Sequence, residues 1–196
     1  MGNTVGSTNA NFCNFLKKEE DAYILGLWCA DSYWWSSSIG LSNTDKDLIK
    51  RFNNFLLRIF PKERIRFNRN HLFVNSRPLL REFRLAKTKL SDLTKIKSIR
   101  AYIAGRFDGD GCINKNLKKD CRIVYGYKNE AELDQDLLRR IGITKTNVYY
   151  YRTSNTFCLY VSRYDTGKFI RLINLYSTKL QKLAFVSRRD LALSKA

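Results

Sequence analysis

Acidic side chains are scarce in this sequence: 18 Asp and Glu stand against 36 Lys and Arg, leaving a formal charge of +18 over 196 residues. An imbalance of that size is a statement about partners, and a polyanion is the obvious one. A membrane surface fits less well, because the basic residues are spread along the chain and interleaved with Tyr, Trp and Asn. Histidine occurs once, at position 71, which counts against nuclease folds that depend on histidine. The five cysteines (Cys13, Cys29, Cys112, Cys121, Cys158) contain no C-x-x-C pair, so no familiar structural zinc site can be completed with His71. They read as reduced, packed thiols of a protein made in a reducing compartment. No apolar run approaches the roughly 20 residues that span a bilayer, and no G-x-x-x-x-G-K-[ST] sequence marks a P-loop. The start, Met1-Gly-Asn-Thr-Val-Gly6, has neither the basic start nor the apolar core of a secretory signal, and it lacks the hydroxyl residue of a myristoylation site. Residues 1–13 therefore read as a flexible polar tail. What remains is an intracellular nucleic-acid-binding protein, with 44% hydrophobic residues available for a core.

What is present is a repeat. Tyr102-Ile-Ala-Gly-Arg-Phe-Asp-Gly-Asp-Gly111 echoes Tyr23-Ile-Leu-Gly-Leu-Trp-Cys-Ala-Asp-Ser32 at an offset of 79 residues. Small residues recur at every fourth position in both: Ala22, Gly26, Ala30, then Ala101, Gly105, Gly109. On a helix such positions share one face, and stripes without bulk let two backbones approach closely. If the stripes meet, Asp31 and Asp110 are delivered side by side. That pair is the candidate for the chemistry.

The segments after each motif follow one order. Tyr33 to Ser42 reads as a hairpin; Asn43-Thr44-Asp45 caps a helix carrying Leu48, Ile49, Phe52, Phe55, Leu56 and Ile59; Pro61 ends it. Arg64 to Asn68 alternates, with Arg64, Arg66 and Asn68 expected outward and Ile65 and Phe67 inward. A second strand, Leu72 to Asn75, and a helix from Arg77 close the half. A basic connector, 87–97, leads to the second motif. There Cys112–Lys119 pairs with Cys121–Tyr127, a helix runs from Asn129 to Ile141, a hairpin turns at Ser154-Asn155, and a last helix carries Phe169 and Ile173. The unit is helix-strand-strand-helix-strand-strand-helix, twice. It divides the chain into halves 14–86 and 98–196.

The two motif stretches resemble the name-giving motif of the LAGLIDADG homing endonucleases, the second closely and the first more loosely. Two motifs in one chain resemble the monomeric, pseudo-symmetric branch. The resemblance implies an α+β fold of duplicated αββαββα halves, with two antiparallel sheets flanking a central two-helix interface. It implies hydrolysis of both strands of a long double-stranded DNA target, leaving short 3′ overhangs. Asp31 and Asp110 would bind Mg²⁺, with Mn²⁺ or Ca²⁺ able to occupy the same sites, and the carbonyls of Ala30 and Gly109 would be secondary contacts. Basic residues near the scissile phosphates would be Lys179 or Lys182 in the second half, and Lys87 or Lys89 in the first. Two departures stand out: Ser32 replaces the motif's terminal glycine, where φ > 0 would favour Gly, and Arg106 replaces an apolar residue. Ser32 is expected to displace Asp31 slightly.

Candidate DNA contacts lie on the predicted strands and turns: Tyr33, Trp35, Ser36, Ser38, Arg64, Arg66, Asn68 and Arg69 in the first half. In the second half they are Asn114, Lys115, Asn116, Lys118, Lys119, Arg122, Tyr149, Tyr151 and Arg152. Arg reads guanine and Asn reads adenine in the major groove, whereas most Lys contacts go to phosphate. Which tyrosine of 149–151 faces DNA depends on strand parity. At least one of Trp34 and Trp35 is expected in the core, and Asp108, whose counterpart is Cys29, is expected to be structural. Two other roles fit the same fold: an RNA maturase that assists splicing of its host intron RNA, and a regulator that binds DNA without cutting it. The compartment is organellar or a microbial or phage cytoplasm.

Overall fold

The computed structural model describes residues 14–113 and 120–182. Two helices form its centre. Helix α1 (Glu19–Asp31) opens with Glu19, Glu20 and Asp21, anions that suit the positive end of a helix. It begins five residues later than Asn14, because the backbone NH groups of Lys17 and Lys18 both donate to the Asn14 carbonyl and close a turn first. That turn drops Phe15 into the core, 4.4 Å from the ring of Phe83. Helix α4 (Ile96–Asp110) is the second motif. Neither helix has a clear polar face, since both are buried on nearly every side. They pack on each other more extensively than any other two elements.

The small residues explain that closeness. A Cβ on Gly26 would fall 2.0 Å from the Tyr102 carbonyl oxygen, and one on Gly105 would fall 2.1 Å from that of Tyr23. Backbone touches backbone at both crossings.

Each motif helix feeds one antiparallel sheet. In the first half β1 (Ser32–Trp35), β2 (Ser38–Ser42), β3 (Arg66–Asn68) and β4 (His71–Asn75) are ordered β1-β2-β4-β3, with α2 (Lys46–Leu57) and α3 (Arg77–Thr88) behind. In the second, β5 (Gly111–Ile113), β6 (Cys121–Tyr125), β7 (Thr146–Tyr151) and β8 (Thr156–Val161) are ordered β5-β6-β8-β7, with α5 (Lys128–Arg140) and α6 (Arg163–Ile173). This is the expected duplicated αββαββα fold. Asp45 caps α2 by accepting from the Asp47 amide, as the sequence predicts. The inward rows Ile39, Leu41, Leu72, Val74 and Ile123, Leu159, Val161 are buried against the helices. Among the described residues, no helix packs on the opposite face of either sheet.

Several boundaries and parities differ from the sequence reading. Arg64 lies in a 3₁₀ turn (Lys62–Arg64), so β3 starts only at Arg66. Phe67 has inward parity, opposite Leu72, but is 61% exposed because the edge strand β3 overhangs its helices. Trp34 and Trp35 are 55% and 75% exposed, so neither is core; Trp34 lies under the Arg84 guanidinium at 5.1 Å instead. The connector is shorter than 87–97, since α3 runs through Thr88 and α4 starts at Ile96. Ser32 and Gly111 have φ of −60° and −88°, so the helix-to-strand switch needs no left-handed residue. Glycine at 111 serves close approach: a Cβ there would meet the Phe107 ring at 2.3 Å.

Candidate active site

Asp31 and Asp110 are the last residues of α1 and α4. Because the helices cross at their glycines, these two ends meet. A Cβ on Gly109 would fall 2.4 Å from the Ala30 Cβ and 2.7 Å from Asp31 Oδ2. Asp31 also accepts a hydrogen bond from Asn43 Nδ2 at 2.7 Å. Burial pushes the Asp110 carboxyl up to about 6; the Arg106 and Lys179 charges oppose this, and the Asp31 carboxylate adds to it. Asp31 is raised as well, by burial first, against the Asn43 hydrogen bond and the charges of Lys179 and Arg106. Both anions sit at helix C-termini, the ends where the macrodipole disfavours negative charge. Fold stability gains nothing from that placement. A cation bound between them would relieve that cost.

The donor set fits a hard divalent ion. Among the described residues no group of three or more His, Cys, Asp or Glu assembles, so the protein offers a carboxylate pair and leaves other positions open. Mg²⁺ is typically held by one or two carboxylates, completed by water and substrate phosphate oxygens. Ala30 and Gly109 lie against each other beside the pair.

Of the candidate lysines, Lys179 is brought to the site. Its Nζ donates to the carbonyls of Gly111 at 2.8 Å and Phe107 at 3.2 Å, and its charge acts on both aspartates. The buried Asp108 holds it there, accepting from Tyr23 Oη at 2.7 Å, the Thr178 amide at 2.6 Å, the Lys179 amide and the Ser177 hydroxyl. Lys182 is spent elsewhere, bonded to Asp45 and 2.7 Å from Asp47. Lys87 pairs with Glu130 at 2.7 Å, and Lys89 is an exposed residue after α3. The first half thus brings no lysine of the pair to Asp31; Asn43 stands there.

Arg106 is 1% exposed, a buried cation in the motif helix. Its guanidinium lies 3.3 Å from both Glu130 and Asp134 and 4.4 Å over the Tyr125 ring. Asp134 also accepts from Tyr125 Oη at 2.9 Å, and burial raises its pKa against the pull of Arg106. Sequence reasoning missed these partners. The signal was there: a buried arginine needs anions, and Glu130 and Asp134 lie four apart on one helix.

On the uncovered face of the first sheet lie Tyr33, Trp35, Ser38, Arg66 and Asn68, with Ser36 and Arg69 in adjoining turns at φ of 54° each. Ser38 is buried and donates to Asn75 Oδ1 at 2.6 Å, and Arg64 donates to the Asn75 carbonyl at 3.1 Å. In the second sheet the register puts Arg122, Asn147, Tyr149, Tyr151 and Tyr160 on the uncovered face and Tyr150 on the other. Arg152 is exposed beyond β7. Asn114, Lys115, Asn116, Lys118 and Lys119 lie outside the described residues.

A sequence profile described as a LAGLIDADG-like domain matches the chain twice, over residues 18–87 and 97–175. The chain belongs to the LAGLIDADG family. Among curated proteins, no sequence matches it significantly. Similar solved structures include I-DmoI in complex with DNA and Mn, which is 22% identical with a TM-score of 0.63, covering 79% of this chain and 96% of that one. I-WcaI bound to its DNA recognition sequence is 14% identical with a TM-score of 0.59, covering 88% of each chain. Full-length DUF199/WhiA from Thermatoga maritima is 17% identical, with a TM-score of 0.61 over 88% of this chain and 62% of that one. At these identities the likeness is one of fold. Each matched repeat carries one of the two central helices, and each of those helices ends in an aspartate at the seam.

Proposed function

We propose that this protein is a site-specific DNA endonuclease that hydrolyses both strands of its target with a divalent metal, leaving short 3′ overhangs. The observation that carries this reading is the pair of desolvated carboxylates, Asp31 and Asp110, at two touching helix C-termini between two uncovered sheets. Each sheet lies over the major groove of one half-site, and the carboxylates sit where the two half-sites join. A divalent ion held by Asp31 and Asp110 would supply Lewis acidity to an attacking water and a leaving oxygen. Lys179, whose Nζ is paired only with carbonyls among the described residues, offers its charge to a phosphate oxygen. Asn43 orients the Asp31 carboxylate through its amide. The basic surface holds the flanking phosphates.

The experiment selects a binding duplex from a randomised DNA pool and incubates it with the protein and Mg²⁺. The wild type cleaves it, while Asp31→Ala and Asp110→Ala bind without cutting. Full cleavage by both variants would sink the site assignment.

A further inference from the structure

The uncovered faces of the two sheets carry different chemistry. On the first sheet the register aligns Tyr33, Gly40, Phe73 and Arg66 in one row across four strands. Gly40 contributes no side chain, so the rings on either side of β2 lean over it and meet, with Tyr33 and Phe73 centroids 5.1 Å apart. His71, one row along, stacks on Tyr33 at 4.8 Å with its rings near parallel. The row on the opposite side offers Trp35, Ser38 and Asn75, with Ser38 donating to the Asn75 side chain. The middle of this face is therefore a half-buried aromatic platform with no charged group, and Arg66 stands at its edge. The second sheet also carries rings, Tyr149 and Tyr160 with centroids 5.5 Å apart, but sets them among donors: Arg122, Asn147 and the hydroxyls of Tyr151 and Tyr160, which are 2.7 Å apart.

We infer that the Tyr33–Gly40–Phe73 row with His71 reads thymine C5-methyl groups, so that the half-site under the first sheet is recognised largely by apolar contact. The C5-methyl is the apolar feature that a base pair displays in the major groove, and aromatic or methyl-bearing side chains are its partners. Donor groups in the second sheet read base edges by hydrogen bonds, which a lost methyl leaves intact. This inference rests on the DNA-binding reading above.

The test replaces thymine by deoxyuridine, which pairs identically but lacks the methyl, in one half at a time of the duplex selected above. Affinity is measured in the absence of metal. The expected result is weaker binding for uracil in one half only, by about fourfold for each methyl fully removed from water. In Tyr33→Ala the uracil penalty in that half should vanish, which assigns the half to the first sheet. Equal tolerance of uracil in both halves, or a penalty that persists in Tyr33→Ala, overturns the inference and leaves the endonuclease reading standing. Failure to enrich any duplex sinks both.

Discussion

The carbonyl oxygen of Tyr23 lies 2.1 Å from where a Cβ on Gly105 would stand, whereas a Cβ on Gly109 would meet the Asp31 carboxylate at 2.7 Å. The two glycines therefore fail differently. Gly105→Ala pushes one backbone off another and is expected to unfold the seam, seen as loss of the cooperative thermal transition. Gly109→Ala pushes side chains, Ala30 and Asp31. It should keep a melting transition and DNA affinity while cleavage drops on the order of 10²-fold, the usual cost of displacing a catalytic group by about 1 Å.

Asp110 holds its proton more tightly folded than unfolded, up to about 6 against 3.8. Native protein binds more protons in that window, so its stability falls as pH rises from about 4 to about 6 and stays lower above. Asp110→Asn escapes the cost. The variant's stability advantage should grow from near zero at about pH 4 to a few kcal/mol at most above about pH 6. Mg²⁺ should raise the melting temperature of the wild type above that window and leave Asp110→Asn little changed. Thermal melts across pH, with and without Mg²⁺, measure both.

Lys179 and Lys182 separate cleanly in the structure. Lys179→Met should lose cleavage on the order of 10²-fold with DNA affinity little changed, and nicked product should accumulate because, among the described residues, only the second half brings such a lysine to the site. Lys182→Met removes exposed ion pairs to Asp45 and Asp47 and should leave both cleavage rates intact. Single-turnover assays on supercoiled DNA resolve the two strands.

Arg106→Met strands Asp134, a wholly buried carboxylate, and should cost about 3–5 kcal/mol in urea unfolding. Adding Asp134→Leu should recover most of the loss. Failure to recover would mean that Arg106 acts by packing and not by charge.

Affinity for the selected duplex should fall roughly 10³-fold or more between 50 and 200 mM salt if six or more phosphates are neutralised. A flat response in a filter-binding titration would count against the sheets lying in the groove.

The fold was legible because its strongest signals are local and repeated. Small residues at every fourth position fixed the seam, and the offset of 79 residues fixed the duplication. The Asp45 cap and the Asn155 turn are chemistry a sequence displays openly. What escaped depended on the edge of a sheet or on its register. Phe67 and Trp34 have inward parity, yet both stay more than half exposed, and what α3 sets against Trp34 is the Arg84 guanidinium and not an apolar side chain. Lys179 could not be told from Lys182 in the sequence, because only the Asp108 anchor decides which one turns inward. Asn43 was read as part of a cap, and it is: its Oδ1 accepts from the Asp45 amide while its Nδ2 serves Asp31.

Tyr23 and Tyr102 occupy matching places in the two motifs, but their hydroxyl environments have diverged. Tyr23 donates to Asp108 across the seam; Tyr102 faces Cys29, where no carboxylate exists, and lies near Asp134 and Arg106 instead. A dimer of two first repeats would leave each Tyr23 hydroxyl buried against a thiol, with neither Asp108 nor Asp134 to receive it. Cys29 thus biases the first repeat against serving as its own mate: each buried hydroxyl left unpaired would cost roughly 1–3 kcal/mol, and pairing with the second repeat spares Tyr23 that cost.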